Sequence, residues 1–115
     1  MQEKIFLLKY FQGDLMGEIE IEDIVVEWDD KKAEINYKKH GIRFKTAARV
    51  FLDENRYDDY DELHSNDEER IKTVGRVGKI LAVVYTERGE KYRIISARYA
   101  TKKEIDDYYG QYSYL

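Results

Sequence analysis

Residues 69–98 contain three consecutive β-strand patterns, and this feature restricts the possible folds more than any other. Runs rich in Val, Ile, Thr and Tyr extend over Glu69 to Gly75, Ile80 to Glu87 and Lys91 to Arg98. The segments 76–78 and 88–90 between them each contain a Gly and are short enough to be hairpin turns. Short connections join antiparallel neighbours, so the sequence predicts an antiparallel sheet with helices covering one face.

Helices that could cover this sheet are predicted on both sides of it in the chain. In order they extend over 30–40, Phe44 to Phe51 and Thr101 to Tyr109. Asp29 or Asp30 is a suitable N-cap for the first helix, and Gly41 is a typical C-cap. Thr101 and Glu104 have the spacing of a capping box. The predicted fold class is therefore α+β, with two N-terminal helices on an antiparallel sheet and a C-terminal helix.

Further strand patterns lie nearer the N-terminus. Residues 4–11 are mostly apolar, and 18–22 alternate Ile with Glu, the two-residue period of a half-buried strand. Glycines between these two runs favour a turn, so the sequence predicts an N-terminal β-hairpin. Another strand is predicted over 24–28. The acidic stretch 53–69 lacks periodicity and is predicted to be a loop with a short strand near 56–60.

Charge is distributed in blocks of alternating sign. Residues 31–52 hold seven Lys or Arg against Glu34, 53–69 hold nine acidic residues against Arg56, and 70–103 hold ten basic residues against two acidic ones. Because a block of like charge repels itself, two explanations stay open. Either the acidic stretch folds over a basic one, or the basic segments form a surface for a polyanion such as RNA.

Composition and spacing exclude several kinds of chemistry. The chain has no Cys, so disulfides, thiolate metal sites and Cys nucleophiles are excluded. Its two histidines, His40 and His64, lack the spacing of a metal site, and no Gly-rich phosphate loop is present. No apolar run approaches the roughly 20 residues of a membrane span. We expect a cytoplasmic protein without a metal or a cofactor.

Two arginines are candidates for binding a phosphate. Arg70 opens the first strand of the sheet pattern, and Arg98 ends the third. If these two strands are adjacent, their guanidinium groups can converge on a phosphodiester, whose nonbridging oxygens gain negative charge during cleavage. The alternative is that each arginine pairs with a carboxylate of the acidic loop or the C-terminal helix.

Histidine and aromatic residues also have two interpretations each. His40 closes the first predicted helix, where it either stabilises the helix dipole or acts as a general acid or base. Tyr85 lies in mid-strand, and on an open sheet face it could stack an RNA base or position a hydroxyl. Trp28 and Tyr37 are predicted to be core residues. The tyrosines at 108–114 are predicted to serve packing or an interface.

A series of short motifs lies in order between residues 24 and 109. They are V-E-W-D-D-K-K-A at 26–33, N-Y-K-K-H-G-I at 36–42, F-K-T-A-A-R-V-F-L-D at 44–53, E-E-R at 68–70, V-G at 74–75, V-V-Y-T-E-R-G at 83–89 and R-I-I-S-A-R-Y-A-T-K-K-E at 93–104. This ordered set resembles the BrnT family of type II toxins. The W-D…K-H-G and I-S-A-R-x-A-T-x-x-E pieces together carry most of the specificity.

The resemblance implies a RelE-like fold and a metal-independent ribonuclease, in which the RNA 2′-hydroxyl attacks the neighbouring phosphate. It also implies neutralisation by a BrnA-type antitoxin, which would carry the DNA-binding function of the complex. The implied catalytic residues are His40, Glu69, Arg70 and Arg98, with His40 or Glu69 as the base and the arginines on the phosphate. The implied RNA-binding residues are Lys39, Tyr85 and Arg93.

Two features depart from the family pattern. Residues 1–23 precede its usual start, and we predict that they form an extension joined to the sheet of a toxin domain at 24–115, within one compact domain. Tyr99 stands where a basic residue is more usual. An alternative function therefore stays open, a catalytically silent binding module that acts with an antitoxin as a transcriptional corepressor.

Overall fold

A six-stranded mixed sheet lies at the centre of the protein, in a computed structural model that describes residues 16–61 and 68–111. In chain order the elements are β1 (Met16–Ile21), β2 (Ile24–Asp29), α1 (Asp30–His40), α2 (Phe44–Ala47), a 3₁₀ helix (Ala48–Leu52), β3 (Tyr57–Asp61), β4 (Arg70–Val77), β5 (Lys79–Arg88), β6 (Lys91–Tyr99) and α3 (Lys102–Gly110). The strand order is β1-β2-β6-β5-β4-β3. The predicted α+β class is confirmed.

The prediction of a wholly antiparallel sheet is wrong at one pairing. β2 runs parallel to β6, with Val26 opposite Tyr92 and Trp28 opposite Ile94. The hairpin argument applies only to strands joined by short turns, such as β4, β5 and β6. β2 and β6 are joined instead by a long connection that contains α1 and three strands, so their relative direction is set by tertiary packing.

The strand register gives the sheet two distinct faces. On one face, hereafter the α1 face, side chains such as Leu81, Val83 and Ile94 form the main core with α1, α2 and the 3₁₀ helix. On the other, hereafter the α3 face, Val74 and Ala82 pack with residues of α3. Because α3 contacts mainly β4, none of the helices in the described part of the chain covers much of the α3 face toward β2.

The ends of the first helix match their predicted caps. The Asp29 carboxylate accepts a hydrogen bond from the Lys32 amide at 3.0 Å, and Gly41 ends α1 with a φ of 74°. Gly tolerates this left-handed conformation because it has no Cβ. The predicted third helix is also confirmed as α3, with a complete capping box between Thr101 and Glu104.

The predicted second helix is shorter than expected. Only Phe44–Ala47 is α-helical, and the chain continues as the 3₁₀ helix. A 3₁₀ helix has three residues per turn, which places Ala48 and Phe51 on the same side, toward the sheet. The apolar positions of the prediction are nevertheless buried: Phe44, Ala47, Ala48 and Phe51.

The N-terminal strand prediction is confirmed only in part. The predicted strand at 18–22 overlaps β1, which ends at Ile21 and pairs antiparallel with β2. Glu22 belongs to the turn between the two strands and has a φ of 56°. The other predicted strand, at 4–11, lies outside the described residues, as does His64. No helix within 16–61 or 68–111 combines the length and apolar character required to cross a membrane.

A buried amide joins α1 to the edge of β6. Where the pairing of β2 with β6 ends, the Asn36 side chain accepts from the Ala97 amide at 3.1 Å and donates to the Ala97 carbonyl at 2.9 Å. It also donates to the Ile42 carbonyl at 3.2 Å. Asn36 is 6% exposed, so it replaces the missing strand partner in a place that water does not reach.

We expect Asn36→Ala to lower the free energy of unfolding by about 2–4 kcal/mol, because it leaves buried backbone groups unpaired. Urea denaturation measures this change. Ile35→Ala is the matched control, since Ile35 is 60% exposed on the same helix and its loss should change the free energy by about 0.5 kcal/mol or less. An Asn36→Ala protein as stable as the wild type would contradict this account.

Candidate functional site

Seven cationic side chains share the α3 face of the sheet. Alternate residues of a strand lie on one face. Alternation alone predicts Arg93 and Arg98 on opposite faces of β6, and this prediction is wrong. An irregularity leaves Ile95 without a partner on β5, so that Arg93, opposite Thr86, and Arg98, opposite Ala82, lie on the same face. The full set is Arg70, Lys72, Arg76, Arg88, Lys91, Arg93 and Arg98. The sequence thus places much of its second basic block on a single surface.

The strands that carry Arg70 and Arg98 are not adjacent. The condition under which their guanidinium groups were expected to converge is therefore not met. β5 lies between β4 and β6 because the two hairpins place it there. Val74, Ala82 and Arg98 form one row across the three strands. With a rise of about 3.4 Å per residue and strands about 4.8 Å apart, the Cα atoms of Arg70 and Arg98 are about 17 Å apart.

Arg98 belongs to an ion cluster centred on Glu104 of α3. Its guanidinium donates to both Glu104 oxygens, at 2.8 and 3.0 Å, and Lys72 Nζ donates to the same carboxylate at 2.7 Å. The Thr101 amide donates to it as well, at 2.9 Å. Hydrogen bonding from Arg98 above all holds the pKa of Glu104 well below its ordinary value of 4.5, against the opposing effect of burial. This cluster fixes α3 to β4 and β6.

A second ion cluster surrounds Glu68, just before β4. Arg88 hydrogen-bonds the Glu68 carboxylate, with Nη2 at 2.9 Å from Oε1. This hydrogen bond lowers the pKa of Glu68, and the charges of Arg88, Arg93 and Arg70 contribute to the same effect. Three arginines from three strands therefore lie near one exposed carboxylate. Here the α3 face gathers positive charge from separate strands, as an anion site requires.

Acidic residues of β1 and β2 border this cluster. Arg93 Nε donates to Glu27 at 2.8 Å, and Lys91 Nζ donates to Glu18 at 3.0 Å. The first of these pairs is more enclosed, since the Glu27 side chain is 12% exposed. β1 and β2 thus partly neutralise the basic surface of β6. The alternative that arginines pair with carboxylates of the acidic loop or the C-terminal helix is thus confirmed for Arg98, which binds Glu104. The acids that pair with Arg93 and Lys91 come instead from β2 and β1.

The remaining predicted residues lie at element ends. Lys39 is exposed and His40 is half-buried in the last turn of α1, whereas Glu69 is exposed directly before β4. Within residues 16–61 and 68–111, no hydrogen bond or ion pair joins the His40 imidazole to an arginine. His40 and the arginine clusters are therefore carried by different layers of the fold.

The prediction that Tyr85 meets RNA on an open face is wrong. Tyr85 lies on the α1 face and is 2% exposed, with its ring against Phe51 and Tyr92 at centroid distances of 4.9 and 5.3 Å. Burial raises its pKa, and its hydroxyl donates to Asp58 at 3.3 Å. Trp28 is a core residue as predicted, but Tyr37 is 41% exposed and is not.

Sequence reasoning identified Glu104 only as a capping residue. Its role as the partner of Arg98 and Lys72 depends on α3 lying across β4, which no local pattern encodes. The usable signal was strand parity, because Lys72 and Arg98 fall on the same face once β4–β6 are taken as a meander. No group of three or more His, Asp or Glu that could hold a metal is found among the described residues.

Comparison with known proteins identifies the family. A family profile described as "Ribonuclease toxin, BrnT, of type II toxin-antitoxin system" matches residues 28–104. The chain belongs to the BrnT family. As a family of type II toxin–antitoxin systems, BrnT implies an antitoxin partner for this protein. β1 and most of β2 lie before the matched range.

A solved structure supports the same family. The 1.1 Å crystal structure of the Brucella abortus ribonuclease toxin BrnT is similar, with a TM-score of 0.50 and 25% sequence identity. The match covers 65% of this chain and 94% of that one. A large part of this BrnT-family protein therefore lies outside the segment that aligns with the Brucella toxin. No curated protein sequence matches it.

The Glu104 cluster predicts acid sensitivity. A carboxylate whose pKa is lowered by folding adds stability above its ordinary pKa, and this stability is lost as the pH falls below about 4.5. At pH 7 we expect Glu104→Gln to lower the free energy of unfolding by about 2–3 kcal/mol, since it leaves two partly buried cations without a counter-charge. The difference from wild type should shrink as the pH falls. Urea unfolding across the pH range measures it.

Asp107→Asn is the matched control for this prediction. Asp107 lies on the same helix and pairs with Lys103 at 2.9 Å, but its side chain is 51% exposed. Its removal should change the free energy of unfolding by about 0.5 kcal/mol or less at any pH. A Glu104→Gln protein with the same pH profile of stability as the wild type would show that the cluster does not anchor α3.

Proposed function

We propose that this BrnT-family protein is a metal-independent endoribonuclease that uses the RNA 2′-hydroxyl as its nucleophile, and that a BrnA-type antitoxin neutralises it. The observation that carries the proposal is the cluster of Arg70, Arg88 and Arg93 beside the exposed Glu68, in a member of a ribonuclease toxin family. A phosphodiester carries the same charge type as this carboxylate. It can take the place of Glu68 among the three arginines.

The arginines have distinct tasks in this proposal. Arg70 binds the phosphate under attack, and Arg93 helps to neutralise it from β6. Arg98 makes a second contact along the RNA, since its side chain is 37% exposed although it also holds Glu104. Its primary task is to position α3. Lys39 on α1 binds a phosphate farther along the strand. Guanidinium groups suit this work because they remain charged and can bind two oxygens at once.

The reaction needs a base, a phosphate site and an acid. The base takes the proton of the 2′-hydroxyl, the 2′-oxygen forms a bond to phosphorus, and the bond from phosphorus to the 5′-oxygen breaks as that oxygen gains a proton. Glu69 directly precedes Arg70 and is exposed, so its carboxylate is the nearer candidate base. His40 is the other candidate base, since a neutral imidazole nitrogen can accept this proton.

We also infer a RelE-like arrangement in which residues 1–23 extend a toxin domain at 24–115. The inference is supported by β1, which adds a strand to β2 at the edge of the sheet. Glu18 of this segment pairs with Lys91 at 3.0 Å. The extension thus contributes both backbone hydrogen bonds and a counter-charge to the sheet.

The ion pairs favour a second candidate function. Arg98 is bound to Glu104, and Arg93 to Glu27, so both guanidinium groups already have carboxylate partners. A catalytically silent member that acts with its antitoxin as a transcriptional corepressor would tolerate such pairing. The free toxin separates the two functions, because only the ribonuclease cleaves RNA without the antitoxin.

We expect Arg70→Ala to lower the rate of RNA cleavage by the antitoxin-free protein about 10²- to 10³-fold, since it removes a charge that stabilises the phosphorane-like transition state. Gel analysis of a labelled RNA measures the rate. Arg76→Ala is the matched control, because Arg76 is exposed on the same strand and face but lies near its far end. A wild-type protein that leaves RNA intact would favour the corepressor.

The product ends test the proposed chemistry directly. Attack by the 2′-hydroxyl leaves a 2′,3′-cyclic phosphate and a 5′-hydroxyl, whereas a metal-activated water would leave a different pair of ends. We expect mass spectrometry to find the cyclic phosphate, and EDTA to leave the rate unchanged. A substrate with 2′-deoxyribose at the cleaved position should resist cleavage. Its cleavage at the normal rate would contradict the mechanism.

A further inference from the structure

A surface cleft on the α1 side of the protein has the composition of a nucleobase site. Its volume is about 470 Å³, and it lies between the start of α2, the turn that joins β4 to β5, and the end of β6. Tyr37 of α1 and Tyr99 of β6 both line it. Neither residue belongs to the arginine clusters, which face α3.

Tyr37 and Tyr99 are both exposed, and a cationic side chain lies over the ring of each. Tyr37 and Tyr99 are 41% and 50% exposed, against 2–7% for the core aromatics Trp28 and Tyr85. The Arg43 guanidinium carbon lies 4.0 Å from the Tyr37 ring centroid, and Lys79 Nζ lies 5.3 Å from that of Tyr99. An exposed aromatic ring can stack a base, and a cation held over the same ring can contact the adjoining phosphate.

The charge of the cleft selects an anionic occupant. Among the described residues that line it, Arg43 and Lys79 are charged and no Asp or Glu is present. This differs from the α3 face, where the cations have carboxylate partners. Lys38, Lys39 and His40 form the basic last turn of α1, directly before Gly41 of the cleft. An anionic chain with planar groups fits this combination better than an apolar peptide does.

We propose that the cleft binds bases of single-stranded RNA, stacked on Tyr37 and Tyr99, with phosphates bound by Arg43 and Lys79. The inference rests on the proposed ribonuclease function and adds the place where its substrate is held. Tyr99 follows Arg98 in β6 on the opposite face of the sheet, so a strand leaving the cleft passes the end of β6 toward the arginines. Stacking is tolerant of base identity, so the cleft confers affinity more than sequence preference.

The test measures binding separately from cleavage. The full-length protein is titrated into a fluorescent, short, mixed-sequence RNA with 2′-O-methyl groups throughout, which cannot undergo attack by the 2′-oxygen. We expect Tyr37→Ala and Tyr99→Ala each to raise the Kd about tenfold or more, as for the loss of one stacked base. Tyr99→Phe keeps the ring and should retain the affinity. Tyr109→Ala is the second control, since Tyr109 is 48% exposed on α3.

Charge is tested through salt dependence. Arg43→Ala and Lys79→Ala should each reduce the slope of log Kd against log salt concentration by about one, as expected for the loss of a phosphate contact. Thermal melting of each variant checks that the fold is retained, which we expect because the substituted side chains are exposed. Unchanged slopes together with unchanged Kd values for the tyrosine variants would overturn the proposal.

The outcomes distinguish this inference from the proposed function. RNA binding that weakens in the tyrosine variants, in a protein that does not cleave RNA, would support the cleft and refute the ribonuclease. If the wild-type protein cleaves RNA but the tyrosine variants bind RNA with the wild-type affinity, only the proposed role of the cleft would be refuted. Loss of antitoxin binding in these variants, with RNA affinity unchanged, would make the cleft a protein interface and overturn the inference. A wild-type protein that does not bind the RNA would also overturn it.

Discussion

The layout of the sheet's α3 face depends on the hydrogen bonds and ion pairs of the Glu104 carboxylate. It accepts hydrogen bonds from Arg98, Lys72 and the Thr101 amide, so it ties β6, β4 and the start of α3 together. A buried carboxylate is stable only when it is fully paired, and these cations supply that pairing.

The cations of the chain meet two kinds of partner. Several cations of the second block lie on strands of the α3 face, where carboxylates from β1, β2, the segment before β4 and α3 pair with them. Arg43 of the first block and Lys79 of the second lie against aromatic rings instead. Carboxylates can be exchanged for phosphates, and rings can stack bases. The protein thus offers one surface suited to a phosphate and another suited to bases.

The elements of the fold were predictable to different extents. The strands at 69–98 and the caps of α1 and α3 follow from spacing and residue type alone, which act over a few residues. The parallel pairing of β2 with β6, the shortening of the second helix and the position of Asn36 at the edge of β6 depend on distant segments. In the candidate site, strand parity put Arg93 and Arg98 on opposite faces, and only the irregularity at Ile95 brings them to the same one. The burial of Tyr85 was also missed.

The sequence alone determined the α+β class, the basic blocks and the ordered motifs that resemble the BrnT family, because these reside in local pattern and residue order. Only the tertiary structure decided which cation meets which partner. Arg70 and Arg98 are separated by β5, Glu104 takes the Arg98 guanidinium, and Tyr37 is left exposed beside Arg43. The physical reason is that charge pairing and burial are set by distances between segments far apart in the chain, which residue order does not contain.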